Sequence, residues 1–422
     1  MKGIAGLIVL VFAEVCLAET LDSGDTAWVL TSTALVLFMT IPGLSLFYAG
    51  LVRSRNVLSV LMQCFSIACL VTILWLLVGY SLAFGEGNAF IGGLSNVLFA
   101  DIGRDTLKGT IPESVFAMFQ LTFAIITPAL IVGGFVERMR FSAVLIFTTL
   151  WSLIVYVPIA HWVWGGGWLA QMGLKDFAGG TVVHITAGTA AVVAALVLGP
   201  RRGFPEQMMP PHNMTLTMAG AGMLWVGWFG FNGGSALAAN GEAAMAIAVT
   251  HISAAAGAFT WMCAEWVRFG KPSALGAVTG MVAGLGTITA ASGYVGPAGA
   301  LIIGISAGFV CFAATNFLKR TLKIDDSLDV FPVHAVGGLL GTILTGIFAS
   351  NALGIFSGHD DISIPNQLGI QALGAFATLA YTAIATFVIL KIVGFVTDNR
   401  VTDEQETEGL DLVLHNERGY DL

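Results

Sequence analysis

Charged side chains are scarce in this sequence. Asp, Glu, Lys and Arg make up 10% of its 422 residues, whereas soluble domains carry about 25%. Hydrophobic residues reach 56%, and the mean hydropathy is +0.85. This composition excludes a soluble domain and predicts an integral membrane protein. The formal net charge of -8 says little about partners, because much of it lies in connecting segments and in the tail, and we expect no nucleic-acid partner.

Cysteine is also rare, and its placement argues against two kinds of site. The cysteines all fall within apolar segments and form no CxxC pair, so neither a disulfide framework nor a zinc cluster is predicted. The 52 glycines do not follow the GxxxxGK[ST] or strand-borne GxGxxG patterns of nucleotide sites. We therefore expect no cofactor and no metal. The five cysteines are Cys16, Cys64, Cys69, Cys263 and Cys311.

Long apolar runs, by contrast, dominate the chain. Runs of ~20 residues, separated by short polar connections, fit α-helices that cross a hydrocarbon core of ~30 Å better than they fit alternating barrel strands. The sequence predicts an all-α integral membrane protein with eleven spans. These are placed at 28–51, 57–84, 113–136, 142–160, 179–199, 215–235, 244–268, 274–291, 297–318, 331–349 and 367–395.

The ends of the chain are predicted to differ from the spans between them. Residues 1–18 have the pattern of a secretory signal peptide, with an uncleaved additional helix as the alternative because Glu14 is atypical there. Basic residues concentrate in alternate connections, which the positive-inside rule places in the cytoplasm. We expect a membrane domain at 19–396 in the cell (inner) membrane, an outer N-terminus after signal removal, and a cytoplasmic tail at 397–422. The basic residues are Arg53, Arg55, Arg138, Arg140, Arg201, Arg202, Arg268, Lys271, Lys319, Arg320 and Lys323.

Two histidines stand in matching apolar settings. His184 in "VVHITAG" and His334 in "PVHAVGG" are 150 residues apart, in the fifth and tenth predicted spans. The chain therefore divides into two five-span halves of opposite direction plus a final helix, a plan in which substrate sites lie near the midplane. Ionisable groups in membranes usually face a pathway or the bundle interior, and the alternative is a core histidine bonded to a backbone carbonyl. Two neutral rings sharing one hydrogen bond suit a weakly polar substrate and a proton.

Aromatic residues recur at helical spacing around these positions. Phe123 has another phenylalanine four residues before it, and Trp228, Phe231 and Ser235 follow at i, i+3 and i+7, so each set shares a helix face. Trp164 in "AHWVWGGGW" is either an interfacial ring or part of a site. Aromatic faces with a hydroxyl acceptor select a small cation, whereas core or lipid contact is the alternative for each ring.

Several long segments, in order, resemble the ammonium transporter (Amt/Rh) family, and its bacterial Amt type in particular. They are "GGFVERMRFSAVLIF", "IAHWVWGGGWL", "DFAGGTVVHITAG", "WFGFNGGSA" and "DDSLDVFPVHAVGGLLGTILTGIF", and the match runs from about Trp28 through the tail. The resemblance implies an eleven-helix protomer with an inverted repeat and a homotrimer with one pore per protomer among membrane lipids. It also implies ammonium and ammonia as substrates, with methylammonium left open.

The resemblance further implies roles for individual residues. Asp176 of "DFAGG" supports the recruitment site, and helix capping is a second role open to it. It precedes His184 by eight residues, ~12 Å along a helix, which is too far for direct contact within that helix. The implied sites are an outer ammonium recruitment site of Trp164, Ser235, Phe123 and Asp176, a gate of Phe123 and Phe231, and a pore with His184, His334 and Trp228.

The energetics of a dry pore suggest the order of events. Ammonium loses its hydration shell there at a high cost, whereas neutral ammonia does not. We expect the cation to bind outside, to lose its proton near the gate or the first histidine, and to pass as ammonia. Whether the proton follows along the imidazoles, which would make transport electrogenic, stays open.

The acidic composition of the tail predicts a mobile segment. The family resemblance implies that this segment regulates the pore and docks a nitrogen-regulatory PII signalling protein. The tail residues concerned are those of "EGLD", namely Glu408, Gly409, Leu410 and Asp411.

Two other functions compete with transport. A metal enzyme would use His161, His184, His334 and Asp176 as ligands, but the sequence has no HExxH or similar close ligand set, so we expect no enzyme activity. An ammonium sensor with little net flux would keep the outer site and the tail. Motif content does not separate it from a transporter, whereas a flux measurement does.

Overall fold

The computed structural model describes residues 20–421, so the signal peptide predicted at 1–18 lies outside the described residues. Helices form nearly all regular structure in this range, apart from a hairpin of β1 (Leu107–Lys108) and β2 (Ile111–Pro112). The apolar helical segments, in chain order, are α1 (Ser23–Leu51), α2 (Ser54–Phe84), α3 (Glu113–Phe135), α4 (Phe141–Gln171), α5 (Gly180–Leu198), α6 (Met214–Gly234), α7 (Gly241–Phe269), α8 (Ala274–Ile288), α9 (Pro297–Thr321), α10 (Phe331–Phe348) and α11 (Ile364–Val396). Two short tail helices follow, α12 (Asp403–Glu408) and α13 (Leu410–His415).

Each predicted span coincides with one of the segments α1 to α11. Among residues 20–421, 10 helices are long and apolar enough to cross a membrane, which confirms a multi-pass, all-α membrane protein. The exception, α8, has 15 residues and a length of ~22 Å, shorter than a hydrocarbon core of ~30 Å. The count of eleven spans therefore stays a prediction. The predicted and observed helix ends differ most in α4. The sequence places its span at 142–160, whereas the segment continues past a turn at residues 164–167 to Gln171.

Polar side chains mark the beginnings of several helices. A carboxylate, amide or hydroxyl oxygen of the residue before the helix accepts a backbone N–H of the first turn. This contact satisfies a donor that has no partner within the helix. The capping residues are Asp22 for α1, Asn213 for α6, Asn240 for α7 and Ser273 for α8.

Glycine allows α5 and α10 to cross at close range. Gly188 of α5 packs directly on the backbone of Ala335 in α10. A Cβ added at Gly338 would lie 2.7 Å from the carbonyl oxygen of Gly180 and 3.0 Å from Cβ of His184. Small residues permit this approach between membrane helices, and the crossing brings the two histidine-bearing segments together.

The tail is docked against the helix bundle. The prediction from its composition, a mobile segment, is therefore wrong. The Asp411 carboxylate caps α2, accepting the backbone N–H groups of Leu58 at 3.0 Å and Ser59 at 2.7 Å. The N–H of Leu410 donates to the Asn56 side-chain oxygen at 2.8 Å. Composition did not reveal this docking because the partner groups lie at the other end of the sequence.

A buried charge cluster lies beside the docked tail. The Glu137 carboxylate accepts hydrogen bonds from Arg53 Nε at 2.9 Å and Arg201 Nη1 at 3.0 Å, and Arg201 also pairs with Asp325 at 2.9 Å. Burial raises the pKa of Glu137, but the two guanidinium groups outweigh burial and hold that pKa below its usual value. The same balance, with Arg201 and Arg138 as the cations, lowers the pKa of Asp325 to about 2. Both carboxylates therefore stay charged at neutral pH.

Candidate functional site

An open cavity of about 280 Å³ lies at the end of the bundle opposite the tail, and we call it the vestibule cavity. Trp164, Ser235 and Phe123 line it, so the structure brings together three of the four residues predicted to recruit ammonium. The Ser235 hydroxyl donates to the carbonyl oxygen of Phe231 at 2.8 Å, which leaves its lone pairs free to accept from a ligand. Two ring faces and one acceptor fit a small cation.

Asp176 does not line the vestibule cavity but supports it from behind. Its backbone carbonyl accepts the indole N–H of Trp164 at 2.8 Å. Its carboxylate accepts the N–H groups of Gly179, Thr181 and Val182 at 2.9–3.0 Å, at the start of α5. Burial raises the pKa of Asp176, and the donated backbone N–H groups partly offset that rise. One residue therefore orients the Trp164 ring and caps the histidine-bearing helix.

Two phenyl rings in tilted contact close the inner end of the vestibule cavity. The ring centroids of Phe123 and Phe231 are 4.2 Å apart at an interplanar angle of 31°, and both side chains are buried. Trp164 meets the Phe123 ring edge-on at 5.8 Å. A ligand in the vestibule therefore contacts Phe123 before it reaches Phe231.

The two predicted pore histidines meet beyond the phenyl pair. His184 Nδ1 and His334 Nδ1 are 3.1 Å apart, so one nitrogen donates and the other accepts. Each ring projects from a π-helical turn, Gly180–Ile185 in α5 and Phe331–Val336 in α10. π-Helical turns widen a helix locally and are frequent at functional sites. The matching turns agree with the inverted repeat predicted from the sequence.

Trp228 forms a wall beside the first histidine. Its ring stacks on His184 with centroids 5.4 Å apart, and its indole N–H donates to Thr289 Oγ1 at 2.9 Å. In the described part of the chain, His184 Nε2 is buried and has no hydrogen-bond partner. It borders a narrow, mainly apolar cavity of about 10 Å³ that Phe231, Trp228 and His334 also line. A small neutral molecule that accepts or donates one hydrogen bond suits this space.

A wider cavity of about 100 Å³ opens beyond His334 on the tail side. Lys319 and Asp329 form an ion pair at 2.8 Å on its wall. The vestibule cavity, the phenyl pair, the narrow cavity and this inner cavity therefore follow one another in a single file, with His334 bordering the last two.

A buried carboxylate in the loop beside the inner cavity should make stability depend on pH. Asp326 accepts the N–H of Phe331 at 2.7 Å, and burial together with nearby Asp329 raises the pKa of Asp326 to about 7. Its contribution to stability is complete below about pH 4 and is lost as the pH rises through 7. We expect Asp326→Asn to remove this decline, measured as the thermal midpoint of purified protein between pH 4.5 and 8. Exposed Asp361→Asn is the control, and an unchanged pH slope in Asp326→Asn would contradict the assignment.

Sequence reasoning missed several residues that shape these cavities. Thr289 orients Trp228, and Tyr48, Lys319 and Asp329 line the inner cavity. A hydroxyl or charge near the end of an apolar segment is a weak signal. In the sequence, the basic pair at 319–320 indicates only which side of the membrane its connection lies on.

Comparison with known proteins assigns the family. A family model described as the Ammonium Transporter Family matches residues 27–420. The chain belongs to this family. An ammonium transporter of Bacillus subtilis is 47% identical over 408 residues, which cover 95% of this chain and 99% of that protein. An ammonium transporter of Aquifex aeolicus is 46% identical over 428 residues, with coverage of 100% and 99%.

Solved structures agree with the family assignment. Mep2 of Saccharomyces cerevisiae superposes with a TM-score of 0.84 at 37% identity, covering 92% of this chain and 89% of that one. A structure titled "Sensor Amt Protein" superposes with a TM-score of 0.87 at 30% identity, covering 93% and 98%. The predicted membership and the helical fold are confirmed, and ammonium or ammonia is the substrate class of the family.

The ligand set of the competing metal enzyme is not assembled in this ammonium transporter fold. His161 lies next to the carbonyl oxygens of Ala83 at 2.9 Å and Asn88 at 2.7 Å. Within residues 20–421, no group of three or more His, Cys, Asp or Glu side chains is placed to hold a metal ion. The chain belongs to a family of transporters, and this membership favours transport over enzyme activity.

Proposed function

We propose that this ammonium transporter recruits NH₄⁺ in the vestibule cavity, removes its proton at or below the phenyl pair, and conducts NH₃ past the histidines. Trp164, Phe123 and Ser235 bind the cation, and Asp176 positions the tryptophan. Phe123 and Phe231 form the gate, with Trp228, His184 and His334 lining the pore. The observation that supports this proposal best is the alignment of an aromatic cavity, a buried phenyl pair and a hydrogen-bonded histidine pair.

The physical basis is that the vestibule cavity stabilises a cation, whereas the space below the phenyl pair stabilises a neutral molecule. In the vestibule cavity a cation gains contacts with ring faces and one hydroxyl oxygen while it stays near water. Below the rings, the walls are apolar apart from the histidines and Tyr48, and an ion there is poorly solvated. The free energy therefore favours deprotonation before or at His184.

The histidine pair suits a neutral passenger that forms hydrogen bonds. One proton lies between the two Nδ1 atoms, and His184 Nε2 faces the narrow cavity. Ammonia both donates and accepts, so it exchanges contacts with the rings without a charged intermediate on them. Proton movement along the pair would make transport electrogenic.

We also propose an orientation in the membrane, domain limits, an oligomeric state and a partner for this transporter. The positive-inside rule places the tail side in the cytoplasm and the vestibule outside, in the inner membrane. We further propose the domain limits 1–18, 19–396 and 397–422 for signal peptide, membrane domain and regulatory tail, assembly as a homotrimer, and docking of a PII protein at the tail. Docked "EGLD" residues, including Leu410 and Asp411, support a link between the tail and the bundle.

A test of transport uses purified protein in liposomes on a solid-supported membrane, exposed to a jump in ammonium concentration. We expect a sustained, saturable current in the wild type that falls at least tenfold in His184→Ala, because the shared hydrogen bond is lost. Exposed His359→Ala is the matched control and should keep the current. The pH inside the vesicles is recorded in parallel, so that electroneutral passage of ammonia is also detected.

The competing function is an ammonium sensor, as one structural neighbour is titled. It predicts ammonium binding with neither current nor internal pH change in the wild type. That result would replace the transport proposal, whereas equal flux in wild type and His184→Ala would contradict the role given to the histidine pair.

A further inference from the structure

One ion pair lies on the wall of the inner cavity. Among the residues of the described range that line this cavity, Asp329 is the only carboxylate and Lys319 the only lysine or arginine. Lys319 Nζ donates to Asp329 Oδ2 at 2.8 Å, and the side chains are 30% and 19% exposed. A partly exposed ion pair contributes little to stability, so its position beside His334 needs another explanation.

Unusual backbone conformations place both members of the pair. Lys319 projects from a π-helical turn, Phe317–Thr321, of the kind that also carries the two histidines. Asp329 has a φ of 62°, which few residues other than glycine adopt. Its carbonyl oxygen accepts the N–H of Val333 at 3.2 Å, next to His334. Such conformations cluster at functional sites, which indicates that the direction of this carboxylate matters for function.

Without the lysine side chain, the inner cavity would offer a site for ammonium. Oδ1 of Asp329 is buried and has no hydrogen-bond partner in the part of the chain that the structure describes. The Thr279 hydroxyl donates to the carbonyl oxygen of Leu275 at 2.8 Å and keeps its lone pairs, and the rings of Phe47 and Tyr48 also line the cavity. Charge-assisted hydrogen bonds to a carboxylate are roughly twice as strong as neutral ones. This site would therefore bind ammonium more tightly than the vestibule cavity does.

Tight binding at this position would slow transport. On the proposed function, on which this inference rests, ammonia enters the inner cavity past His334 and becomes ammonium by accepting a proton from the cytosol. A free carboxylate on the wall would hold that cation through charge-assisted hydrogen bonds. Release of the product would then limit the flux.

The Lys319 side chain ends in the same chemical group as the substrate ion. Its Nζ is a compact ammonium group with three N–H donors, and it occupies the position on Asp329 that a free NH₄⁺ would take. Because it is tethered to the chain, it competes at a high effective concentration. Its charge also repels any second cation that enters the cavity.

We propose that Lys319 fills the ammonium position at Asp329 and thereby keeps the inner cavity from retaining the transported cation. The pair governs release of the product, whereas Trp164 and Ser235 govern binding of the substrate. Lys319 and Asp329 also line a second open cavity of about 200 Å³. Shortening the lysine side chain therefore exposes the carboxylate to cations from two cavities.

The position of a bound cation tests this proposal directly. Crystals of the full chain are soaked in thallium(I) acetate, because Tl⁺ is close to ammonium in size and its anomalous scattering locates it. We expect a peak beside Asp329 in Lys319→Met and none there in the wild type or in Lys319→Met/Asp329→Asn. Lys319→Gln, which also leaves the carboxylate charge unbalanced, should show the same inner peak and serves if the methionine variant does not fold.

The thallium positions separate this inference from the proposed function. An inner peak in the wild type, or none in either single variant, overturns the role given to Lys319. A vestibule peak is expected in every protein, and its absence contradicts the proposed recruitment site but leaves the inner-cavity comparison decisive for Lys319.

Flux measurements in liposomes distinguish slow product release from damage to the pore. Lys319→Met is expected to lower the maximal ammonium flux at least fivefold, while flux at low ammonium stays near wild type because an inner site is then mostly empty. Lys319→Met/Asp329→Asn should recover the maximal flux to within twofold of wild type. Exposed Lys271→Met removes an equal charge and should transport as the wild type does.

A purely structural ion pair predicts a different pattern of flux. Flux would then fall equally at low and high ammonium, and the double variant would transport no better than Lys319→Met. Either result overturns the inference. A wild type without flux overturns the proposed function, and with it the role of Lys319 in product release.

Discussion

Gly338→Ala is expected to lower ammonium flux at least tenfold while the protein still reaches the membrane. The added methyl group would lie 2.7 Å from the carbonyl oxygen of Gly180, 3.0 Å from Cβ of His184 and 3.1 Å from the nitrogen of Ile185. Backbone cannot yield as a flexible side chain does, so the π-helical turn of α5 has to move. Overpacking of this kind costs about 1–3 kcal/mol, and the movement separates His184 from His334, now 3.1 Å apart.

The same chain offers matched controls for this substitution. Gly222 in α6 and Gly369 in α11 have no described atom within 4 Å of an added Cβ, so Gly222→Ala and Gly369→Ala should keep both flux and stability. Flux and the thermal midpoint are measured together for all three variants in liposomes. Full flux in Gly338→Ala would contradict the requirement for a His184–His334 contact at 3.1 Å.

The candidate site is predictable from the sequence where chemistry and spacing coincide. His184 and His334 stand out because an imidazole is costly in an apolar segment, and their matched settings predicted the contact now seen at 3.1 Å. Phe231 lies three residues after Trp228, so both line the narrow cavity and their ring centroids are 5.6 Å apart. The helix pattern determines these relations locally, which is why sequence suffices for them.

Other parts of the site depend on long-range contacts that have no sequence spacing. Thr289 orients Trp228 from a position 61 residues away in the sequence. Asp176 holds Trp164 through its backbone carbonyl, and since every residue has that group, the sequence gives no sign of this contact. The tail was predicted to be mobile because its composition is acidic, but Asp411 finds two unpaired N–H groups at the start of α2. Such partners emerge only when the whole bundle is assembled.

Glu137→Gln is expected to destabilise the protein by about 3–5 kcal/mol, because it removes the anion from a buried cluster and leaves the guanidinium groups of Arg53 and Arg201 with less compensation. The thermal midpoint of detergent-purified protein measures the loss. Asp398→Asn is the matched control, since Asp398 is 82% exposed and pairs with Arg140 at 3.6 Å. An exposed ion pair contributes about 0–1 kcal/mol, so the control should melt near the wild type.

The same substitution should also loosen the tail. Asn56 donates to Glu137 Oε1 at 3.1 Å and, with its own oxygen, accepts the N–H of Leu410. A glutamine at position 137 has a single acceptor oxygen, which the guanidinium groups of Arg53 and Arg201 attract most strongly. Its NH₂ group then faces the side-chain N–H of Asn56, which is itself a donor, so the asparagine loses the contact that orients it toward the tail. We expect limited proteolysis to cleave after residue 397 several-fold faster in Glu137→Gln than in Asp398→Asn. Equal cleavage rates with a lowered thermal midpoint would mean that the cluster stabilises the bundle alone and that Asp411 is sufficient to hold the tail.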